Sequence, residues 1–221
     1  FDIERLRAEI DWYSTQEGEL IFCCDANFGI LPRDVEIAEY VAAASTRCGF
    51  PRTLIVQNTK NATERAYRVQ ALLADSGLNA GVTLALQSLD AHTLENVRRD
   101  NISTESFREL QRRYTRDGVE TYTDMILSLP GETYVSWADG IADVIDHGQH
   151  NRVQFYNCSI LPNAEMGEAA YQSMHGMRAV PQRLVDMHGS LDELETREGH
   201  EYIDTVVATR TLPEAEWVRA K

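Results

Sequence analysis

Five short apolar runs, each closed by a cluster of polar residues, set the architecture open to this chain of 221 residues. The runs are Leu20–Cys24, Thr53–Val56, Val82–Leu86, Met125–Leu129 and Val153–Tyr156. They end respectively in Asp25/Asn27, Gln57/Asn58/Lys60, Gln87/Ser88, Pro130/Gly131/Glu132 and Asn157/Ser159/Asn163. Helix-like stretches lie between them, so the rhythm is that of a strand plus a crossover helix, repeated roughly every 30–40 residues. Alternation of this kind predicts an α/β fold with parallel strands and right-handed crossovers. The carboxyl ends of such strands share one face of the sheet, so the polar clusters are expected to converge there. Five strands are too few for a closed eight-stranded barrel, which leaves an open barrel arc or a doubly wound sheet.

Helix boundaries are marked locally. Pro32 suits a first helical position, and the helix from about Arg33 to Cys48 is stopped by Gly49 and Pro51. Asn61 with Glu64 reads as a capping box, and Asp90 and Ser103 read as N-caps. Gly49, Gly77, Gly118 and Gly148 read as left-handed C-caps. After about residue 165 the rhythm fades. Glu165–Met177 and Gln182–Arg197 look helical, Tyr202–Thr209 looks like a strand, and Pro213–Lys221 looks like a short terminal helix or tail. The expectation is one domain with a core at 1–165 and an extension at 166–221.

Composition narrows the partners. An apolar share of 43% suits a sizeable core, and no run reaches the about 18 apolar residues of a membrane span. No signal peptide opens the chain, so the expected location is the cytoplasm. The formal net charge of −14 disfavours nucleic acid and anionic membranes, which draw binding from clustered Lys and Arg. Arg108, Arg112, Arg113 and Arg116 recur at helical spacing and read as a solvated helix face. Cys23, Cys24, Cys48 and Cys158 form no disulfide framework; Cys23 and Cys24 read as buried small apolar residues. Trp12, Trp137 and Trp217 read as packing residues. The chain opens on Phe1 and runs straight into a helical pattern, as expected of a domain cut from a longer protein.

The strand-end residues offer hydrogen-bond donors and acceptors without a nucleophile–base pair. His92, His147, His150, His175, His188 and His200 all fall away from strand ends, and no Ser-His-Asp or Cys-His arrangement is evident. Such a site is built to hold a polar cofactor rather than to attack a substrate. Simpler roles stay open: Asp25 as a loop cap, Asn61 as a helix cap, and Glu132 as a carboxylate at a helix N-terminus.

Four strings carry a resemblance: FCCDANFGILPRDVEIA (22–38), LALQSLDAHTLENVRRDNIS (84–103), YTDMILSLPGETYVSW (122–137) and YNCSILPNAEM (156–166). Together, in this order and at the strand ends already marked, they resemble the radical S-adenosylmethionine superfamily, most closely its cobalamin-associated branch. The resemblance implies a partial, open TIM-type (β/α) barrel across whose strand ends S-adenosylmethionine lies, with a [4Fe–4S] cluster that cleaves it to a 5′-deoxyadenosyl radical. It implies that Asp25, Ala26 and Asn27 contact the methionyl ammonium group, and that Gln87 and Ser88 lie near the ribose and carboxylate. Arg99 matches an arginine that pairs with the carboxylate, a role suited to a bidentate guanidinium. Ser128, Gly131 and Glu132 match the segment beside the cofactor, and Asn157, Leu161, Pro162 and Asn163 match the adenine side.

The family's Cys-x-x-x-Cys-x-x-Cys is absent from these residues, and Ser128 stands where a glycine is common in the family. The resemblance therefore implies cluster ligands and a first barrel strand on a segment before Phe1. It further implies a small-molecule substrate, a reductant such as flavodoxin or ferredoxin, and cobalamin in the full-length protein. The alternative is a cluster-less, non-catalytic barrel domain that binds a small molecule.

Overall fold

In the computed structural model the described residues are 2–58, 64–184 and 201–221. Asn61 and Lys60, the stretch 185–197 of the expected late helix, His188 and His200 lie outside them. Backbone contacts divide the chain into two compact units.

The first unit comprises Phe1–Leu86, Asn101–Asp124 and Val144–Gln154. It opens with α1 (Ile3–Thr15), followed by β1 (Leu20–Phe28), α2 (Pro32–Cys48), β2 (Thr53–Asn58) and α3 (Glu64–Asp75). β1 and β2 are parallel, with Leu20 opposite Thr53 and Cys23 opposite Val56. The helix α2 begins where Pro32 predicts, because the Asp34 carboxylate accepts the backbone N–H groups of Gly29 and Leu31, both at 2.8 Å. It ends at Gly49 with φ 78°, whose N–H donates to the Ser45 carbonyl at 2.7 Å. Its buried stripe Ala38, Val41 and Ala44 faces a core of Phe28, Leu54, Val69, Leu73 and Leu78.

β3 (Val82–Thr83) pairs in parallel with β4 (Thr121–Leu127), the strand after α5 (Thr104–Arg116). The strand order of this second sheet is β3-β4-β5, with β5 at Arg152–Asn157 after α6 (Tyr134–Asp146). The start of β4 is fixed by a closed polar network. Thr121 donates to Gln111 at 2.6 Å, Thr123 donates to Gln149 at 3.2 Å, and Gln149 donates to the Thr121 carbonyl at 2.9 Å. All four side chains are buried, and mutual satisfaction is what makes that tolerable.

The second unit comprises Gln87–Asp100, Met125–Asp143 and Phe155–Lys221. It contains α4 (Ala91–Asn96) and an antiparallel sheet ordered β6-β8-β7, from Ser159–Ile160, Tyr202–Ala208 and Arg178–Arg183. A short α7 (Ala169–His175) and α8 (Glu214–Ala220) complete it. Leu129, Cys158, Ile160 and Val206 form its core.

The α/β class and parallel pairing match the sequence reading, and Gly49, Gly77, Gly118 and Gly148 all have positive φ. Several boundaries differ. β1 runs through Asp25–Asn27 to Phe28, because the Phe28 ring is buried and its backbone pairs with Asn58 after a register irregularity. Val82–Leu86 is regular strand only at Val82–Thr83. Gln87, with φ 64°, then bridges Met125 one residue out of register, as an extra residue in the β3 segment requires. The stretch Glu165–Met177 breaks into a single 3₁₀ turn and α7, because Glu168 is extended at the N-cap. Gln182 and Arg183 belong to β7 rather than a helix. Cys24 is exposed rather than buried, since alternation along β1 points it away from the side that packs Cys23. Trp12 is likewise exposed, at 65%.

Gly29 has φ 97°, and a Cβ there would sit 2.7 Å from the Ala66 Cα. Gly29→Ala is therefore expected to destabilise the protein by about 1–3 kcal/mol in urea unfolding, and an unchanged midpoint would refute this close approach.

Candidate functional site

The site in the second unit is built on the turn that follows β4. Leu127 leads into Ser128, which adopts φ 73°, and Gly131 adopts φ 101°. Ser128 occupies the left-handed region that favours glycine, and its buried hydroxyl has no hydrogen-bond partner among the described residues. Gly131 is favoured by its backbone conformation and by close neighbours. A Cβ there would lie 2.5 Å from Asn96 Nδ2, with His92 and Thr93 close behind. The same Asn96 amide donates to the Pro130 carbonyl at 3.1 Å, which fastens the turn to α4.

Glu132 is the pivot of this turn. Its side chain is 1% exposed. Ser88 donates to Oε2 at 2.8 Å and Ser136 donates to Oε1 at 2.7 Å. Ser88 Oγ in turn accepts the Asp90 N–H at 3.2 Å, and Asp90 Oδ1 caps α4 by accepting Thr93 N–H and Oγ1–H, both at 2.7 Å. Thr133 and Ser136 exchange backbone-to-hydroxyl bonds at 2.9 and 3.0 Å, a reciprocal cap for α6. Burial raises the Glu132 carboxyl above the usual glutamate range, and the Ser136 and Ser88 hydroxyls pull it back. Ser88 and Glu132 thus hold each other and set the shape of the turn.

Three strand ends lie side by side in this unit. The Gln87 carbonyl accepts the Ile126 N–H at 2.8 Å, and the Leu127 carbonyl accepts the Cys158 N–H at 2.9 Å. Gln87 and Ser88, Ser128 through Glu132, and Asn157 are thereby brought together. Leu161, Pro162 and Asn163 follow on an exposed turn closed by the Ala164 N–H to the Leu161 carbonyl at 3.0 Å. Beyond α4, Arg98 is 76% exposed and pairs with Glu165 at 2.9 Å. Arg99 is half-buried, and desolvation pulls its guanidinium below its ordinary value. Of the two arginines, Arg99 is the one presented to the protein. Asp25, Ala26 and Asn27 are exposed in the first unit, where Asp25 Oδ1 accepts the Asn27 N–H at 2.9 Å.

Asn96 and Ser136 support the turn and were not singled out by the sequence. Asn96 acts through a contact 34 residues away, at Pro130, which no local pattern signals, whereas Ser136 bonds within four residues, to Glu132 and Thr133, as the capping pair Thr133-x-x-Ser136 at the start of α6 could have signalled.

The cysteines do not suit an iron–sulfur cluster. Cys158 is buried beside Met166, which pushes its thiol up to about 12, while Cys24 and Cys48 are exposed and apart from it in sequence. Among the described residues no trio of His, Cys, Asp or Glu is placed to hold a metal.

No protein-family model matches the chain. It is 40% identical over 220 residues to the 2-(S-pantetheinyl)-carbapenam-3-carboxylate methyltransferase of Streptantibioticus cattleyicolor, covering 99% of this chain and 31% of that protein. It is 39% identical over 222 residues to the cobalamin-dependent radical SAM methyltransferase TokK of Streptomyces tokunonensis, covering 100% and 32%. The chain spans about a third of the length of these relatives. Among solved structures, it resembles the radical S-adenosylmethionine methyltransferase TsrM of Kitasatospora setae with cobalamin and a [4Fe–4S] cluster bound. That match has a TM-score of 0.60 at 16% identity, over 78% of this chain and 33% of that one. TsrM with tryptophan and a SAM analogue bound gives 0.63 at 14% identity, over 96% and 44%. The Escherichia coli radical SAM enzyme HemN gives 0.53 at 17%, over 72% and 37%. At these identities the structural likenesses speak to the fold alone.

Because burial raises the Glu132 carboxyl, the folded chain holds that proton more tightly than the unfolded one. Its contribution to stability is full below the ordinary glutamate range and is lost as pH rises through the raised folded value. Ser88→Ala removes a donor to the carboxylate and is expected to cost about 1.5–3 kcal/mol at neutral pH, with a steeper loss on raising pH. Glu132→Gln is expected to flatten that slope. Thermal unfolding across pH checks both, and parallel profiles in all three proteins would contradict the assignment. Ser128→Gly is expected to stabilise by about 0.5–2 kcal/mol, since it relieves a left-handed backbone and removes an orphaned hydroxyl.

Proposed function

We propose that this chain, which belongs to the cobalamin-associated branch of the radical S-adenosylmethionine superfamily, is the S-adenosylmethionine-binding part of a methyltransferase. The observation that carries this reading is the 39% identity maintained over 100% of the chain to a cobalamin-dependent radical SAM methyltransferase. In this proposal the parallel strands belong to an open (β/α) barrel, and the turn after β4 borders the cofactor. The Arg99 guanidinium takes the methionyl carboxylate, Gln87 takes the ribose, and Asn157 with Leu161–Asn163 line the adenine side. Asp25–Asn27 supply acceptors for the methionyl ammonium group. Ser88 and Glu132 act through the backbone they fix, since their polar atoms already pair with one another.

The [4Fe–4S] cluster is assigned to cysteines outside these 221 residues, because the four cysteines here do not suit it. When bound in the full-length protein, the cofactors would supply a 5′-deoxyadenosyl radical and a cobalamin-borne methyl group. A flavodoxin or ferredoxin would supply electrons, and the cytoplasm is the proposed setting. The substrate class suggested by the Streptantibioticus cattleyicolor relative is a small carbapenam thioether bearing a pantetheinyl arm. No helix among the described residues is long and apolar enough to cross a membrane.

In the full-length protein, Arg99→Met is expected to weaken S-adenosylmethionine binding about 10–100-fold, as loss of a charge-assisted pair predicts, while Arg98→Met changes it less than about twofold. Equal effects of the two substitutions in isothermal titration would remove Arg99 from the site. Anaerobic iron–sulfur reconstitution of residues 1–221 alone is expected to yield no stoichiometric cluster absorption, whereas a full signal would overturn the external assignment.

A further inference from the structure

The central strand β4 has two unlike faces in the first unit. Thr121 and Thr123 point to the side sealed by the Gln111–Gln149 network. Tyr122 and Asp124 alternate to the other side and are half-buried. Asp124 is anomalous there. Its Oδ1 is buried yet has no hydrogen-bond partner among the described residues, although a buried carboxylate oxygen without a donor is costly. Arg152, at the start of the neighbouring β5, attracts it but forms no ion pair with it. The Arg152 guanidinium instead lies over the Tyr122 ring at 4.5 Å from its centroid.

An acceptor without a donor among the described residues, an exposed guanidinium and an aromatic ring stand together on one face. This set matches a secondary amide, which brings one N–H and one carbonyl, flanked by methylene groups that pack on a ring. We propose that Tyr122, Asp124 and Arg152 form an amide-recognition subsite for the pantetheine arm of the substrate. Asp124 Oδ1 accepts an amide N–H, Arg152 donates to the amide carbonyl, and the Tyr122 ring packs against the adjoining methylenes. The pantetheine assignment rests on the substrate class put forward above, because a pantetheinyl thioether carries secondary amides. Occupation supplies the donor that Asp124 lacks.

The test is isothermal titration of the full-length protein with free pantetheine, and separately with S-adenosylmethionine. Wild type is expected to bind pantetheine, Asp124→Leu and Arg152→Met each to weaken it about tenfold or more, and Asp124→Asn, which keeps an acceptor, to bind within about threefold of wild type. All four proteins are expected to bind S-adenosylmethionine alike. Arg152 is exposed, so Arg152→Met decides the matter if Asp124→Leu does not fold. Absence of pantetheine binding in wild type, or unchanged affinity in Arg152→Met, overturns the subsite. Pantetheine binding without S-adenosylmethionine binding would instead sink the cofactor reading and leave the subsite standing.

Discussion

A buried carboxylate shared between two serines organises the candidate site. Glu132 lies between Ser88, from the loop after β3, and Ser136, from the first turn of α6. In a half-exposed setting these would be ordinary polar contacts. With the carboxyl 1% exposed, each donor has to be present, because an unpaired buried oxygen costs more than a made bond returns. The two strand ends are therefore held in one arrangement, and the turn Leu129–Thr133 inherits its shape from them.

The backbone follows the same logic. Gln87, Ser128 and Gly131 all have positive φ within a few residues of these bonds, and two of the three are not glycine. Such conformations persist where the surroundings over-determine them, and they concentrate at ligand-binding turns. Gly131 combines φ 101° with a Cβ position 2.5 Å from Asn96 Nδ2, so a side chain there would be strained and would displace the amide that holds Pro130. Ser128 carries both a disfavoured backbone and an orphaned hydroxyl, a combination that packing alone does not reward.

Local signals were well legible in the sequence. Asp90 and Ser103 cap their helices, Pro32 opens α2, and Gly49 closes it, each decided by chemistry within four residues. Tyr202–Thr209 and the terminal helix also emerge from pattern. Long-range choices were less legible. That Glu132 takes Ser88, 44 residues away, follows only from the packed turn. Cys24 is apolar in composition but exposed in place, because strand alternation and not residue type decides its side. The orphaned oxygen of Asp124 is invisible to sequence, since it depends on which donors fail to arrive.

In the proposed cofactor site, the strand ends at 87–88, 128–132 and 157–163 border S-adenosylmethionine. Hydrogen–deuterium exchange of the full-length protein, with and without saturating S-adenosylmethionine, tests this most directly. Slowed exchange confined to peptides spanning those three segments, residues 25–27 and the Arg99 region is the predicted result. Slowed exchange elsewhere, with these peptides unchanged under demonstrated saturation, would contradict it.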